Sequence, residues 1–385
     1  MDAFAGAVGV ADSDGKSTPV YAVCQPRAGA NAEYYALLVR HMALSGWITA
    51  LATGIRERST DFRFSQFGSQ NLPLPPISEQ QAIVKYVRYI ACEVGAAVHA
   101  KQRLISLLIE QKQAVRQAAL TRGIDSAVDL KESGIFGVGQ IPAHWEVMRA
   151  KQLCQRIVDC KNRTPESVPG GGYTVVRTTN IRSGKFRSEG SFETDKKNYE
   201  MWTQRGAPQR GDVFFTREAP AGEACLVPDL SGLCMGQRMM YLRPDPTVLD
   251  SRFLVHSIYG PAARTYIDLA TNGSTVGHLR LGQVGSIPVI WCPVDEQRAI
   301  VDHIDREWKP LDAAISRAER EISLLREYQT RLTADVVTGK LDVRAAATLL
   351  PDVDSLDPSL MAAYGADADG LNADLNGDDL PEELM

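Results

Sequence analysis

Apolar and polar positions over residues 78–122 alternate with the period of one long amphipathic helix. Steps of three and four residues recur along the segment, which is the heptad spacing of a coiled coil. Lys101 and Gln111 interrupt the apolar stripe. At 1.5 Å of rise per residue, such a helix would extend about 60 Å. The apolar or small positions are Ile83, Val87, Ile90, Val94, Ala97, Leu104, Leu108, Val115 and Ala118.

The same unit occurs a second time in the chain. Residues 76–84 reappear as residues 293–301, so that Glu296 matches Glu79 at an offset of 217. The match continues without a gap for about forty residues more, and a long repeat of this kind determines the architecture. It predicts a second helix over 295–338, which we expect Pro310 to kink or to break.

Two similar helices on one chain favour an antiparallel coiled coil about a pseudo-twofold axis. The alternative is ordinary core packing in a helical bundle. The positions predicted to pair the two helices are Val87, Val94, Leu104, Leu108, Ile304, Leu311, Leu325 and Leu332.

Residues 141–293 read as a separate module with a mixed or mainly antiparallel sheet. Short strand-like runs alternate with Gly and Pro clusters, and one helix is predicted over 251–269. Residues 123–140, rich in Gly, Ser and charge, read as a linker. The predicted strands are 173–177, 212–216, 224–227, 238–242 and 286–290.

The segment before the first helix matches only the back half of this module. Tyr34–Leu51 parallels 251–269, and Ser59-Thr60 parallels Ser274-Thr275. A counterpart of residues 141–216 is missing. We therefore expect that the first module begins upstream, has been truncated, or is completed by another chain.

Charge is distributed unevenly along the 385 residues. The net charge is −5, but the segment after Arg344 has no Lys or Arg and carries ten acidic residues, which leaves +5 on the rest. Such a tail is predicted to be disordered, and a solubilising role is favoured over a partner-binding one. The seven cysteines lack zinc-site spacing, so reduced, buried thiols in a cytoplasmic protein are expected. The chain has no apolar run long enough to span a membrane. Its first residues lack a basic region followed by an apolar core, so a secretion signal is not expected.

Common catalytic motifs are absent from the sequence. There is no Gly-rich phosphate loop, no HExxH and no G-x-S-x-G. Polar and basic residues cluster instead in predicted loops, and such residues bind phosphates and base edges. For any single one, a solvated surface role is the alternative. The candidate DNA contacts are Lys161, Arg163, Thr164, Arg177, Thr179, Asn180, Arg182, Lys185, Arg217, Gln237, Arg238, Asn272, Ser274, Thr275 and His278, with Arg56, Arg58, Ser59, Thr60 and Arg63 in the first module.

Four motifs in order resemble the specificity subunit of type I restriction–modification enzymes. They are Pro75–Ile83, Gly139–Val147, Gly211–Glu218 and a stretch that runs from Leu324 to Val343. The resemblance covers nearly everything from residue 1 to about residue 344. It implies an α+β chain with two target recognition domains, the first one incomplete, separated by two long helices that form an antiparallel coiled coil. The implied divisions are 1–76, 77–122, 123–140, 141–293 and 294–344, followed by the acidic tail 345–385.

The resemblance also implies a non-catalytic subunit that reads a bipartite double-stranded DNA site. Its helices would dock modification subunits, two in number, which use S-adenosylmethionine to methylate adenine. A restriction motor–nuclease subunit would join for cleavage, and this chain would need no cofactor of its own. Within the second recognition domain, we expect Arg177 and Asn180 to contribute more to specific than to nonspecific DNA binding. The alternative is a decoy or degraded subunit that binds the methyltransferase without reading DNA.

Overall fold

The structure, a computed structural model, describes residues 8–11, 13–16, 22–51, 53–56, 59–61, 67–271 and 277–352. It divides into two compact units, each of which contains part of both long helices. The discontinuous unit comprises Met1–Leu108 and Ala313–Met385, and the continuous unit comprises Ile109–Asp312.

Ten α-helices and fifteen strands lie in the described part of the chain. The helices are α1 (Ala32–Leu44), α2 (Trp47–Leu51), α3 (Ile77–Arg122), α4 (Ala150–Leu153), α5 (Lys196–Trp202), α6 (Ser251–Ile258), α7 (Pro261–Thr271), α8 (Leu281–Val284), α9 (Val294–Val337) and α10 (Arg344–Leu349). The strands are β1 (Thr53–Arg56), β2 (Ser59–Asp61), β3 (Leu130–Glu132), β4 (Gln140–Pro142), β5 (Glu146–Arg149), β6 (Cys154–Asp159), β7 (Tyr173–Val176), β8 (Ile181–Arg182), β9 (Lys185–Phe186), β10 (Phe192–Thr194), β11 (Val213–Thr216), β12 (Ala224–Leu226), β13 (Leu233–Met235), β14 (Met239–Pro244) and β15 (Pro288–Trp291).

Both predicted long helices are present, α3 with 46 residues and α9 with 44. A kink or a break was expected at Pro310, and the break is wrong, because α9 continues through this residue. A proline inside a helix removes one backbone hydrogen bond and costs about 3 kcal/mol. Contacts of the preceding turn offset this cost: the Trp308 indole donates to the Lys112 carbonyl at 3.0 Å, and the Lys112 ammonium lies 4.3 Å from the ring centre.

The long helices run antiparallel, because the residue numbers of the partners on α9 decrease as the residue numbers along α3 increase. In the discontinuous unit the shared clusters and ion pair are Val84 and Val87 with Val336 and Val337, Val94 and Val98 with Ile322, and Lys101 with Glu321. In the continuous unit Lys112 meets Trp308 and Asp312. The predicted antiparallel coiled coil is confirmed.

The predicted pairing positions need one correction. Val87, Val94 and Ile304 are buried, and Leu108, Leu311, Leu325 and Leu332 are half-buried, whereas Leu104 is 47% exposed. The neighbouring Ile105 joins the cluster of Val94, Val98 and Ile322 instead. The stripe includes Lys101, whose ammonium pairs with Glu321. A charged residue, Lys101, therefore occupies a pairing position. Because the prediction used apolar residues alone, it selected Leu104 in place of the neighbouring Ile105.

A buried glutamine joins α3 to α1. The Gln80 side chain is 0% exposed, and its amide nitrogen donates to the carbonyls of Gly29 (2.9 Å) and Pro75 (2.8 Å). Its oxygen accepts from the Asn31 backbone N–H at 2.7 Å. Asn31 in turn caps α1 through its own side chain. The three hydrogen bonds fix the start of the long helix against the start of the shorter one.

The second repeat contains the same junction. Gln297, also 0% exposed, donates to the carbonyls of Val248 (2.9 Å) and Cys292 (2.6 Å) and accepts from the Asp250 N–H (2.8 Å). Asp250 caps α6. Asn31 and Asp250 therefore occupy equivalent places. Their separation along the chain is two residues longer than the offset of 217 that relates Gln80 to Gln297.

The adjacent Glu296 anchors the entry to the 141–293 module. The indole of the fully buried Trp145 donates to Glu296 Oε1 at 3.0 Å, and His144 Nε2 lies 3.0 Å from Oε2. The repeated Glu-Gln pair thus holds two segments at once: Glu296 holds the segment that enters the module, and Gln297 holds the helix α6.

Two main sheets form the module. One has the antiparallel order β12-β11-β14-β6, and the other has the order β10-β7-β13 with β7 and β13 parallel. The predicted strands are confirmed to within two residues at each end. The single helix predicted over 251–269 is wrong, since α6 ends at Ile258 and α7 begins at Pro261, where the ring fixes the first helical turn.

No helix among the described residues is long and apolar enough to cross a membrane. All seven cysteines are free thiols, and five are buried, but Cys24 is exposed, which differs from the expectation of uniformly buried thiols.

Gln297→Leu tests the buried junction. The change leaves the Asp250 N–H and two carbonyls without their partner, and each buried unpaired group costs about 1–3 kcal/mol. We expect the free energy of unfolding of the full chain to fall by about 3 kcal/mol in urea titrations followed by circular dichroism. Gln113→Leu, at an exposed position of α3 in the same unit, is the matched control. Equal, small changes for both variants would contradict the assigned role.

Candidate nucleic-acid interface

Several strand ends of the 141–293 module meet along one edge. Val176 at the end of β7 lies beside Met235 at the end of β13, because these strands are parallel. Met239, at the start of β14, pairs with Thr216 at the end of β11. Met240 pairs with Asp159 at the end of β6. The segments that follow β6, β7, β11 and β13 therefore emerge together.

We call this edge, with its polar side chains, the basic edge. Its backbone is joined by hydrogen bonds between loops: Gln237 N–H to Thr164 Oγ1 (3.4 Å), Arg217 N–H to the Arg238 carbonyl (2.9 Å) and Leu279 N–H to the Arg217 carbonyl (3.0 Å). The predicted site residues that the structure brings together here with exposed or half-buried side chains are Lys161, Arg163, Thr164, Arg177, Thr179, Gln237, Arg238 and His278.

Trp202 organises two of these cations. Its indole donates to the Arg163 carbonyl at 2.9 Å, and the Lys161 ammonium and the Arg163 guanidinium each lie 5.3 Å from its ring centre. Cation–π contacts of this kind stabilise a cation by about 0.5–1 kcal/mol at exposed sites. The aromatic ring therefore restricts where the two charges lie.

Charge is only partly compensated along the basic edge. Glu218 lies 3.3 Å from Arg238 Nε and 3.3 Å from His278 Nδ1. Within the described part of the chain, no carboxylate lies within ion-pair distance of Lys161, Arg163 or Arg177. These three cations are available to an anionic ligand.

The backbone at this end of the module is strained. Among the described residues, the non-glycine residues with positive φ are Ser183 (48°), Ala219 (55°) and Arg238 (70°). Ser183 lies in the turn of the neighbouring hairpin between β8 and β9. Ala219 lies in the loop after β11, and Arg238 lies just before β14, both at the basic edge. Residues held in the left-handed region cost of order 1–3 kcal/mol and concentrate at functional sites.

The predicted contact by Asn180 needs correction, because this side chain is 0% exposed. Its oxygen accepts from the Arg177 N–H at 2.7 Å, and its amide nitrogen donates to the carbonyls of Arg187 (2.9 Å) and Glu189 (2.8 Å). Every strong donor and acceptor of the amide is therefore used inside the loop. Asn180 shapes the loop that presents Arg177 and does not itself reach a ligand.

The predicted contact by Arg217 is corrected for the same reason. Its side chain is only 11% exposed, and its guanidinium pairs with Asp159 at 3.2 Å. This internal ion pair joins the ends of β6 and β11 beneath the surface.

The remaining candidates lie beside the basic edge, on the first module, or outside the described residues. Arg182 and Lys185 face each other across the β8–β9 hairpin. Only the backbone of Arg56, Ser59 and Thr60 is described, on β1 and β2. The predicted contacts that lie outside the described residues are Arg58, Arg63, Asn272, Ser274 and Thr275.

Sequence reasoning missed Trp202, Glu218 and the residues that hold the β8–β9 hairpin. A tryptophan at the end of the polar helix α5 was a usable signal, because a large aromatic residue in a short polar helix needs a partner. Glu218 gave no such signal, since its partners Arg238 and His278 are 20 and 60 residues away.

Three thiols of the module have a raised pKa. Burial raises the pKa of Cys154, Cys225 and Cys234 to about 12 in each case. A thiolate is the nucleophilic form, so these cysteines act as small apolar core residues. In the described ranges no group of three or more His, Cys, Asp or Glu side chains is placed to hold a metal ion.

Asn180→Ala distinguishes a loop-shaping residue from a ligand contact. Because three buried hydrogen bonds are lost, we expect the free energy of unfolding to fall by about 2 kcal/mol. Thr179→Ala, at the exposed neighbouring position, should change it by less than about 0.5 kcal/mol. A chemical denaturation series measures both, and an unchanged stability for Asn180→Ala would contradict the internal role.

No protein-family model matches the chain. A type I restriction enzyme MjaX specificity subunit from Methanocaldococcus jannaschii is 21% identical over 319 residues, which cover 81% of this chain and 68% of that protein. The type I restriction enzyme EcoBI specificity subunit from Escherichia coli is 19% identical over 285 residues, which cover 70% of this chain and 58% of that protein.

A solved structure shares the fold. It is described as showing complex assembly and conformational transition of the type I R-M system, and one of its chains matches this one with a TM-score of 0.51 at 17% identity. The match covers 81% of this chain and 72% of that chain. The chain is therefore similar in sequence to type I restriction enzyme specificity subunits and shares its fold with a chain of the type I R-M system.

Proposed function

We propose that this chain is the sequence-specific DNA-binding subunit that directs a type I restriction–modification methyltransferase to a bipartite site. The observation that carries the proposal is the basic edge, where no carboxylate among the described residues pairs with Lys161, Arg163 or Arg177, on a fold shared with a type I R-M chain. One half-site would lie against this edge.

The side chains of the basic edge divide by chemistry into two groups. Lys161 and Arg163, held against Trp202, suit phosphate oxygens, which position a protein on DNA and make its affinity salt-dependent. Arg177 and Gln237 suit base edges in the major groove, since Arg pairs with guanine and Gln with adenine. The shaped loop around Asn180 would hold Arg177 in a fixed orientation.

Methylation would come from partner subunits bound to the long helices. Leu107 of α3 and Leu324 of α9 are equivalent in the repeat, and they are 55% and 57% exposed. Equivalent exposed leucines on paired helices fit two copies of one modification subunit. A restriction subunit would join the same complex, and the cytoplasmic location expected from the free cysteines stays a prediction.

The alternative of a decoy that no longer reads DNA is not favoured. The relatives are specificity subunits, and the 141–293 module has two clusters of buried apolar residues and hydrogen bonds between the loops of the basic edge. A chain that had lost its reading role would have no need to keep strained, hydrogen-bonded loops there.

Arg177→Ala tests the reading role. The preferred motif is first selected from a random-sequence duplex DNA pool with the full unaltered chain. We then expect the affinity for that motif to fall about tenfold or more, because one good base contact contributes about 1–3 kcal/mol of discrimination. Affinity for a scrambled duplex should fall far less in the same fluorescence anisotropy titration.

Arg210→Ala is the matched control. Arg210 is an exposed arginine just before β11, at the end of that strand opposite to the basic edge. Its loss should leave the preference for the motif unchanged. Equal losses on motif and scrambled duplex for Arg177→Ala would reduce this residue to a phosphate contact and contradict its assignment.

A further inference from the structure

The turn of the β8–β9 hairpin is held by a tyrosine from another part of the module. The Tyr259 hydroxyl accepts from the Gly184 N–H at 2.8 Å and from the Ala224 N–H at 3.0 Å. It donates to Glu223 Oε2 at 2.8 Å. A phenol oxygen has two acceptor lone pairs and one proton, so the hydrogen-bonding capacity of Tyr259 is fully used at this point.

Glu223 holds the other residue of the turn. Its Oε2 accepts from the Ser183 N–H at 2.6 Å, and its Oε1 lies 3.9 Å from Arg264. Two successive backbone N–H groups, of Ser183 and Gly184, are thus bound by two side chains. Both residues have positive φ, 48° and 83°, as a tight two-residue hairpin turn requires. Serine is disfavoured there, so the side-chain anchors stabilise a conformation that the sequence alone does not favour.

The tyrosine ring is itself fixed. The Arg264 guanidinium lies 4.5 Å from its centre and the Arg116 guanidinium lies 5.1 Å from it. Arg116 belongs to α3 and is also 5.5 Å from the Trp308 ring of α9. Burial beside Glu223 raises the pKa of Tyr259, so the hydroxyl keeps its proton and remains a donor. The hairpin turn is therefore tied, through one side chain, to cations on α7 and on the long helix.

The hairpin lies at the same end of β11 as the basic edge. The Glu223 carbonyl accepts from the N–H of Thr216, the last residue of β11, at 2.8 Å. Arg182 and Lys185 flank the turn and pair with each other in register. The contacts of Tyr259 and Glu223 with the turn therefore also restrict where Arg182 and Lys185 lie beside the basic edge.

We propose that Tyr259 is a positioning residue for DNA recognition: its hydroxyl sets the β8–β9 turn so that Arg182 and Lys185 contact bases next to those contacted by Arg177. Tyr259 itself does not touch DNA. The proposal rests on the proposed function, and it adds a second, separately anchored reading element to the basic edge.

Selection from a random-sequence duplex DNA pool tests it with the full chain. The unaltered chain, Tyr259→Phe, the double variant Arg182→Ala/Lys185→Ala and Arg177→Ala are each used to enrich binding sequences. We expect Tyr259→Phe to lose base preference at the same motif positions as the double variant, and Arg177→Ala to lose it at different ones. Affinity for a scrambled duplex should change less than about twofold for Tyr259→Phe, because the phosphate contacts remain.

Tyr241→Phe is the matched control. This tyrosine is fully buried on β14, and its hydroxyl has no hydrogen-bond partner among the described residues, so its removal should leave the motif unchanged. Thermal unfolding of both Phe variants separates loss of the fold from loss of hairpin position.

Three results would overturn the inference, each at a different level. An unchanged motif for Tyr259→Phe would show that the turn keeps its place without the hydroxyl. An unchanged motif for the double variant would remove the hairpin from DNA recognition while leaving Arg177 and the proposed function intact. No enriched motif for the unaltered chain would overturn the proposed function itself, and this inference with it.

Discussion

Buried glutamine side chains at the two helix junctions are the contacts on which the rest of the structure depends. Gln80 and Gln297 each use a side-chain oxygen and nitrogen to join the start of a long helix to the cap of a shorter one. An apolar residue of similar size would leave buried backbone groups unpaired. The requirement explains why the Glu-Gln pair recurs at an offset of 217 while the surrounding surface residues differ.

In the continuous unit this junction helps to determine where the loops proposed to read DNA lie. Gln297 fixes the N-terminus of α6, and Tyr259 follows the C-terminus of the same helix. The Tyr259 hydroxyl then reaches the turn of the β8–β9 hairpin. A short helix, α6, therefore connects the repeated Glu-Gln motif to a loop that we propose contacts DNA. Gln297 and Tyr259 hold these segments through hydrogen bonds to backbone groups. The exposed side chains of the segments can therefore differ without changing the arrangement.

Elements set by period and repetition were predictable from the sequence. The bounds of α3 and α9 follow from the heptad pattern and the repeat, and the strands of the 141–293 module follow from apolar runs between Gly and Pro clusters. Leu104 was misplaced because Lys101 occupies a pairing position, and an apolar pattern does not reveal that its partner is Glu321.

Side-chain roles within the candidate site were less predictable. Asn180 was predicted to contact DNA, but the chain makes a 3₁₀ turn over Thr178–Asn180, and the Asn180 amide oxygen accepts from the Arg177 N–H within that turn. Tyr259 gave no local signal, because the group it binds is 75 residues away in the chain. Contacts between distant segments decide which polar residues face inward, and composition and spacing alone do not contain that information.

We propose that this chain determines where a partner methyltransferase acts. Adenine methylation mapped across the genome of the source cell tests this role, with the gene intact, deleted, or restored with Arg177→Ala and Arg238→Ala together. We expect methylation at a defined motif that disappears on deletion and is lost or altered in the restored variant. Methylation that is identical in all three strains would contradict it.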